Sequence, residues 1–150
     1  MRTRAGVFRK DDYDELNSYA IDMITEFLQF FGYDVPKKEE DFTIDIEAFR
    51  DGKKYRIEAE VRSDLWFTER ETFPFDTVSF LGRKKKYEDI SDFWYFLVCK
   101  KTGYAVYCNS NTIYQDIYRE TITVNNSKRY GDDVFYRVPK MLCRFINLKV

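Results

Sequence analysis

Asp41-Phe42-Thr43-Ile44-Asp45-Ile46-Glu47-Ala48-Phe49-Arg50-Asp51-Gly52-Lys53-Lys54-Tyr55-Arg56-Ile57-Glu58-Ala59-Glu60-Val61-Arg62 decides the fold. Asp51-Gly52 between two alternating runs is a strong two-residue hairpin signal, because that turn needs positive φ at both central residues. With such a loop Arg50 faces Lys53, and continuing the register sets Asp45 opposite Glu58. Strand side chains alternate, so Asp45, Glu58, Glu60 and Arg62 share one face. Phe42, Ile44, Ile46 and Ala48 form the apolar face, with Tyr55, Ile57, Ala59 and Val61 as its partner. Like charges directly opposite one another are destabilising. Three carboxylates gathered there ask for a compensating gain, and a divalent cation supplies one. The bland alternative is an ordinary polar outer face, with Asp45 paired diagonally to Lys54 or Arg56.

Outward from the hairpin, the pattern continues as mixed structure. Leu16, Tyr19, Ala20, Met23, Ile24, Phe27, Leu28 and Phe31 recur at helical spacing and predict a helix over residues 12–31. Asp12 with Glu15 reads as a capping box, and Gly32 as the residue just past the helix end. Residues 75–80 read as a strand after Pro74. Residues 93–100 and 104–108 read as a second hairpin turning at Lys101-Thr102-Gly103. Asn109 to Asn111 can cap a short helix over residues 113–120. Residues 134–138 and 143–148 read as late strands. This order predicts an α+β (mixed α/β) fold.

The chain of 150 residues, 44% hydrophobic and 19% aromatic, is expected to form one domain spanning 1–150. The formal net charge of −1 gives no global attraction to nucleic acid, so any such affinity must be local. Histidine is absent. That excludes Ser-His and Cys-His dyads and imidazole-bound zinc. The cysteines, Cys99, Cys108 and Cys143, are scattered. Cys99 and Cys143 lie in apolar runs and read as buried free thiols of a reducing compartment. No apolar run reaches membrane-spanning length, and Met1-Arg2-Thr3-Arg4 opens no signal-peptide core. A cytoplasmic, intracellular protein without membrane association is expected.

Hard cations such as Mg²⁺ take oxygen ligands, commonly one or two carboxylates completed by substrate phosphate and water. A metal held this way can polarise a phosphoryl oxygen and generate hydroxide without histidine. An amphipathic helix with an early Glu15, then Asp45 in Thr43-Ile44-Asp45-Ile46, then Ile57-Glu58-Ala59-Glu60-Val61-Arg62, resembles the layout of the PD-(D/E)xK nuclease superfamily. That superfamily includes restriction endonucleases and Holliday-junction resolvases, and the resemblance covers roughly the first half of the chain. It implies a restriction-endonuclease-like central mixed β-sheet flanked by helices. It also implies a Mg²⁺- or Mn²⁺-dependent endonuclease hydrolysing phosphodiester bonds in DNA, acting as a homodimer in many relatives. Glu15 matches the helix acid that contributes to the metal shell, although the capping box explains it equally well.

Two alignments are open. Asp45, Glu58 and Glu60 fill the Asp, Glu and Lys positions in one, so Glu replaces the lysine. Asp45, Glu60 and Arg62 fill them in the other, so Arg replaces it; the two-residue hairpin favours the first, a longer loop setting Asp45 against Glu60 favours the second, and the string of residues 57–62 reads more closely as the second. An arginine can stabilise charge but is never deprotonated, whereas a glutamate can act as base or ligand. Either departure raises the alternative of a catalytically inactive nuclease-fold module that binds nucleic acid or a protein partner.

Arg83-Lys84-Lys85-Lys86 is the densest basic run and would contact backbone phosphate, unless it is a solvated helix face. Trp66 follows the acidic strand in a polar loop and could stack on unpaired bases. Phe73 and Phe75 are expected in the core.

Overall fold

In the computed structural model the described residues are 10–37, 44–82, 85, 92–125 and 130–150. Their architecture is α+β, mostly strand. The first helix, α1 (Lys10–Phe30), buries Ala20, Ile24 and Leu28 on one stripe, with Met23 and Phe27 beside them. It already includes residue 12, so Asp12 lies within the first turn rather than at the N-cap. Its other end closes as expected. Gly32 takes φ +91°, Gly32 N–H donates to Gln29 O, and Tyr33 N–H donates to Leu28 O at 2.9 Å. This is the bonding of a Schellman cap, in which a left-handed glycine lets the last carbonyls find donors. The chain then pairs with the hairpin edge through Asp34 and Phe49.

The hairpin strands are β1 (Ile46–Arg50) and β2 (Lys53–Arg62). Asp51 and Gly52 carry φ of 52° and 77°, so both central residues of the turn are left-handed. The observed register pairs Arg50 with Lys53 and Ile46 with Ile57. It matches the two-residue loop; the pairing ends at Ile46, one step before Asp45 would stand opposite Glu58. The strand is shorter than its expected start at residue 42: Ile44 and Asp45 form a bend that leads into Ile46, and residues 41–43 lie outside the described residues.

After a loop with a short 3₁₀ turn at Arg70–Thr72 come β3 (Thr77–Leu81), β4 (Phe93–Cys99) and β5 (Tyr104–Asn109). Asn109 caps α2 (Ser110–Ile113), its side chain accepting from Asn111 N–H at 2.8 Å. The expected helix over residues 113–120 is not present. One helical turn and a 3₁₀ turn at Asp116–Tyr118 give way at Arg119 to β6 (Arg119–Asn125). The alternating β-branched Thr121-Ile122-Thr123-Val124 favours a strand there. Long β7 (Tyr130–Pro139) and short β8 (Arg144–Asn147) complete the chain.

Two sheets result. One has five strands in the order β1-β2-β4-β5-β8, with β2 parallel to β4 and every other pair antiparallel. The other is antiparallel, in the order β3-β7-β6. Ile46, Ala48, Ile57, Ala59, Phe96 and Val98 point to α1. On the opposite face Tyr95, Leu97, Cys99, Val106 and Cys108 meet Val78, Phe80, Tyr136 and Val138 of the smaller sheet. The expectation of a mixed sheet therefore holds, while among the described residues its flanking by helices holds on one face. The second sheet covers the other face. Gly82 belongs to this junction: a Cβ there would lie 2.5 Å from Val134 O and 2.9 Å from Val134 Cβ, so only glycine fits beside β7.

Candidate functional site

Alternation along β2 sends Tyr55, Ile57 and Ala59 toward α1 and Arg56, Glu58, Glu60 and Arg62 toward the opposite face. Glu58 is 3% exposed, a buried carboxylate inside the hairpin. Glu60 and Asp45 are half-buried. Asp45 turns its side chain onto the facing strand, where Oδ2 accepts from Ala59 N–H at 2.9 Å. That amide lies between Glu58 and Glu60, so all three acids flank one peptide segment. The bases nearby do not neutralise Asp45 in the way the diagonal pairing expected. Lys54 Nζ sits 2.9 Å from Glu47 Oε2, with Arg56 Nε 3.9 Å from the same oxygen, while Lys53 reaches Asp92 at 3.4 Å.

The parallel partner of β2 adds a residue that the sequence reading missed. Tyr95 of β4 stands in register with Glu58, and its hydroxyl donates to Glu60 Oε1 at 2.7 Å. The phenol is 1% exposed. Burial holds it protonated well above the ordinary tyrosine range; the charge of Glu60 and its hydrogen bond add to this, followed by Tyr114 and Glu58. Glu58 and Glu60 thus act on the same buried point, which lies in a negative field. A signal for Tyr95 exists in the sequence. A tyrosine within the apolar run of residues 93–99 needs a partner for its hydroxyl, and buried tyrosines usually find one. Which acid it meets depends on strand order, which the sequence does not display.

The hairpin register runs from Arg50 with Lys53 to Ile46 with Ile57, and the next step leads toward Asp45 and Glu58. Arg62 turns away to Asp64, with Nε to Oδ1 at 3.1 Å and Nη2 to Oδ2 at 3.2 Å. This forked pair is partly exposed, with Asp64 63% accessible, so it holds the guanidinium weakly.

Among the described residues no group of three or more His, Cys, Asp or Glu side chains is gathered as a metal site. A cation here would rest on one or two of these carboxylates, a sparse arrangement that Mg²⁺ accepts when phosphate and water complete its shell. The buried Glu58 and the negative field at Tyr95 suit such an occupant.

The remaining candidates are spread around this centre. The backbone at Glu15 lies in α1, but its side chain is outside the described residues. Of the basic run, Lys85 is half-buried, while Arg83, Lys84 and Lys86 lie outside the described residues. Trp66 is 55% exposed between the buried Leu65 and Phe67. Phe73 is buried as expected. Phe75 is not: it is 55% exposed and only edges onto Phe73. No protein-family model matches this chain, and no curated protein matches it in sequence.

Proposed function

We propose that the chain is a Mg²⁺- or Mn²⁺-dependent endonuclease of the PD-(D/E)xK type, with a restriction-endonuclease-like fold, hydrolysing phosphodiester bonds in DNA. The observation that carries this reading is the seat of Asp45 on Ala59 N–H, which sets the aspartate against the strand segment bearing Glu58 and Glu60. The mixed sheet, in which the acidic hairpin is followed by a parallel strand, accords with the same fold.

In this reading Asp45 and Glu60 would hold the cation, and Glu58 would serve as a further ligand or as the base. A bound cation would supply Lewis-acid polarisation of the phosphate and a lowered pKa for water. The chain's own groups do the positioning. Ala59 N–H fixes the Asp45 carboxylate, and the Tyr95 hydroxyl fixes one oxygen of Glu60. Because Tyr95 stays protonated, it remains a donor across the working pH range. Arg62 stabilises negative charge on the phosphate after leaving Asp64, an exchange that costs little at an accessible pair. Arg83, Lys84, Lys85 and Lys86 contact the DNA backbone, and Trp66 offers an exposed ring to an unpaired base.

A second reading is a nuclease-fold module without catalysis that binds nucleic acid or a protein partner. Two observations favour it: no lysine stands at the motif position in either alignment, and no three carboxylates are gathered as ligands among the described residues. Incubation with plasmid and branched DNA in Mg²⁺ or Mn²⁺, beside Asp45→Asn and Glu60→Gln, separates the two. The nuclease reading expects cleavage that both substitutions abolish; cleavage surviving both overturns the site. DNA binding without cleavage, weakened by Lys84→Ala with Lys85→Ala, supports the module instead.

A further inference from the structure

Cys108 stands on β5, and Cys143 lies in extended backbone immediately before β8, the antiparallel neighbour of β5. The register of β5 with β8 runs from Tyr104 with Asn147 to Tyr107 with Arg144, and its next step sets Cys108 opposite Cys143. Directly opposed residues in an antiparallel pair have Cα atoms about 4.5 or 5.5 Å apart, and a disulfide accepts about 4.4–6.8 Å. Both side chains point into the core between the two sheets, at 3% and 1% exposure. All three cysteines are free thiols.

We propose that Cys108 and Cys143 form an oxidation site that a hydroperoxide converts to a reversible cross-strand disulfide. This assignment stands independently of the nuclease reading. In the reduced protein Cys108 Sγ donates to Leu142 O at 3.7 Å and Cys143 Sγ to Pro139 O at 3.9 Å, weak bonds that place both thiols beside the same turn. The neighbouring Cys143 thiol lowers the Cys108 thiol, while the nearness of Cys108 and burial hold Cys143 protonated. Cys108 is therefore the attacking sulfur. Its thiolate takes the terminal oxygen of the hydroperoxide, the O–O bond breaks, and the alkoxide collects a proton to leave as alcohol. The Cys143 sulfur then attacks the sulfenic sulfur of Cys108. The S–O bond breaks, the Cys143 proton leaves with the hydroxide as water, and the S–S bond forms.

The pair lies under one exposed edge. Cys143 directly follows the 3₁₀ turn Lys140–Leu142, where Met141 is 79% and Leu142 50% exposed. Cys99 supplies an internal contrast. It is as buried as the other two, and its thiol likewise donates to a carbonyl, Leu65 O at 3.3 Å, so the contrast is one of distance. It lies four residues along β4 from Tyr95, the partner of Cys108, about 13 Å at strand spacing and beyond disulfide reach.

The test uses the folded full chain carrying Cys99→Ser, treated with tert-butyl hydroperoxide in native buffer and then denatured for thiol titration. The expected result is loss of both titratable thiols, an intact mass lower by two hydrogens, a peptide linking Cys108 to Cys143, and full recovery with dithiothreitol. Far-UV dichroism before and after confirms that the reaction occurs in the folded protein. Persistence of both thiols overturns the proposal, as does oxygen addition without linkage or a disulfide between chains. If Cys99→Ser does not fold, peptide mapping of the oxidised wild type decides the matter: a Cys108–Cys143 link supports the site, and any link through Cys99 overturns it.

Discussion

The Tyr95 hydroxyl donates to Glu60 at 2.7 Å from within the core, so an uncharged buried group on β4 orients a carboxylate on the parallel strand β2. Hydrogen bonds to charged groups contribute about 1.5–3 kcal/mol, and a phenylalanine keeps the ring packing against Phe80 while removing only the donor. Tyr95→Phe is expected to destabilise by roughly 1–3 kcal/mol in urea denaturation. The pH dependence has a definite sign. Because the folded state raises the Tyr95 pKa above 10.0, its contribution is complete below pH 10.0 and is lost as pH rises above it. Wild-type stability should therefore fall in alkali with a component that Tyr95→Phe lacks. Equal alkaline slopes in the two proteins would remove Tyr95 as the cause.

Asp45 has a structural task separable from its charge. Its Oδ2 satisfies Ala59 N–H at the point where the chain bends into β1. Asparagine keeps an acceptor oxygen; alanine leaves the amide without this partner. Asp45→Ala should cost about 1–3 kcal/mol, the range for an unsatisfied buried donor, and Asp45→Asn under about 1 kcal/mol. Both should abolish the proposed cleavage. Comparison of the two melting curves with activity on plasmid tests the separation: an Asn variant as unstable as the Ala variant would show that the charge itself holds the bend.

The hairpin was legible because its information is local. Asp51-Gly52 sets the turn, and a period of two then assigns each side chain to a face, including Glu58 and Glu60 opposite the helix. Helix α1 and its glycine cap were legible for the same reason. Tyr95 was not, since its meeting with Glu60 spans 35 residues and depends on β2 and β4 being adjacent and parallel. The second sheet was hidden in a similar way. Residues 113–120 carry a polar cap that suggests helix, yet β7 offers β6 a partner from Arg119 onward, and tertiary pairing overrode the local signal. The register of the hairpin was legible from its two-residue loop, whereas the contact of Arg62 with Asp64 was not, since it depends on how the loop leaves β2.

Arg62 and Asp64 form a forked but accessible pair two residues apart. Accessible ion pairs couple by about 0.2–1 kcal/mol and weaken with salt. A double-mutant cycle with Arg62→Ala and Asp64→Ala should return a coupling in that range at low salt and less at high salt. The functional expectation differs. If Arg62 serves the phosphate, Asp64→Ala frees it and leaves cleavage intact, while Arg62→Ala lowers cleavage well beyond its effect on stability. Matched losses in the two single variants would mean that the pair acts only on the loop.

Gly82 marks where β3 leaves the second sheet against β7, and the constraint there is steric. Its φ is not in the left-handed region; the obstacle is Val134, whose carbonyl oxygen would sit 2.5 Å from a new Cβ and whose own Cβ would sit 2.9 Å away. Both obstacles are close to the backbone, so no rotamer change relieves them. Overpacking of this kind costs typically about 1–3 kcal/mol. Gly82→Ala should therefore lower the denaturation midpoint with little change in the denaturant slope. The loss should propagate to the shared core, because Val78, Phe80 and Tyr95 pack together across the two sheets. A shift of Phe80 against Tyr95 would loosen the Glu60 hydrogen bond, so hydrogen exchange at β4 amides should rise along with that at β3. Faster exchange confined to β3 would mean that the second sheet does not support the acidic site.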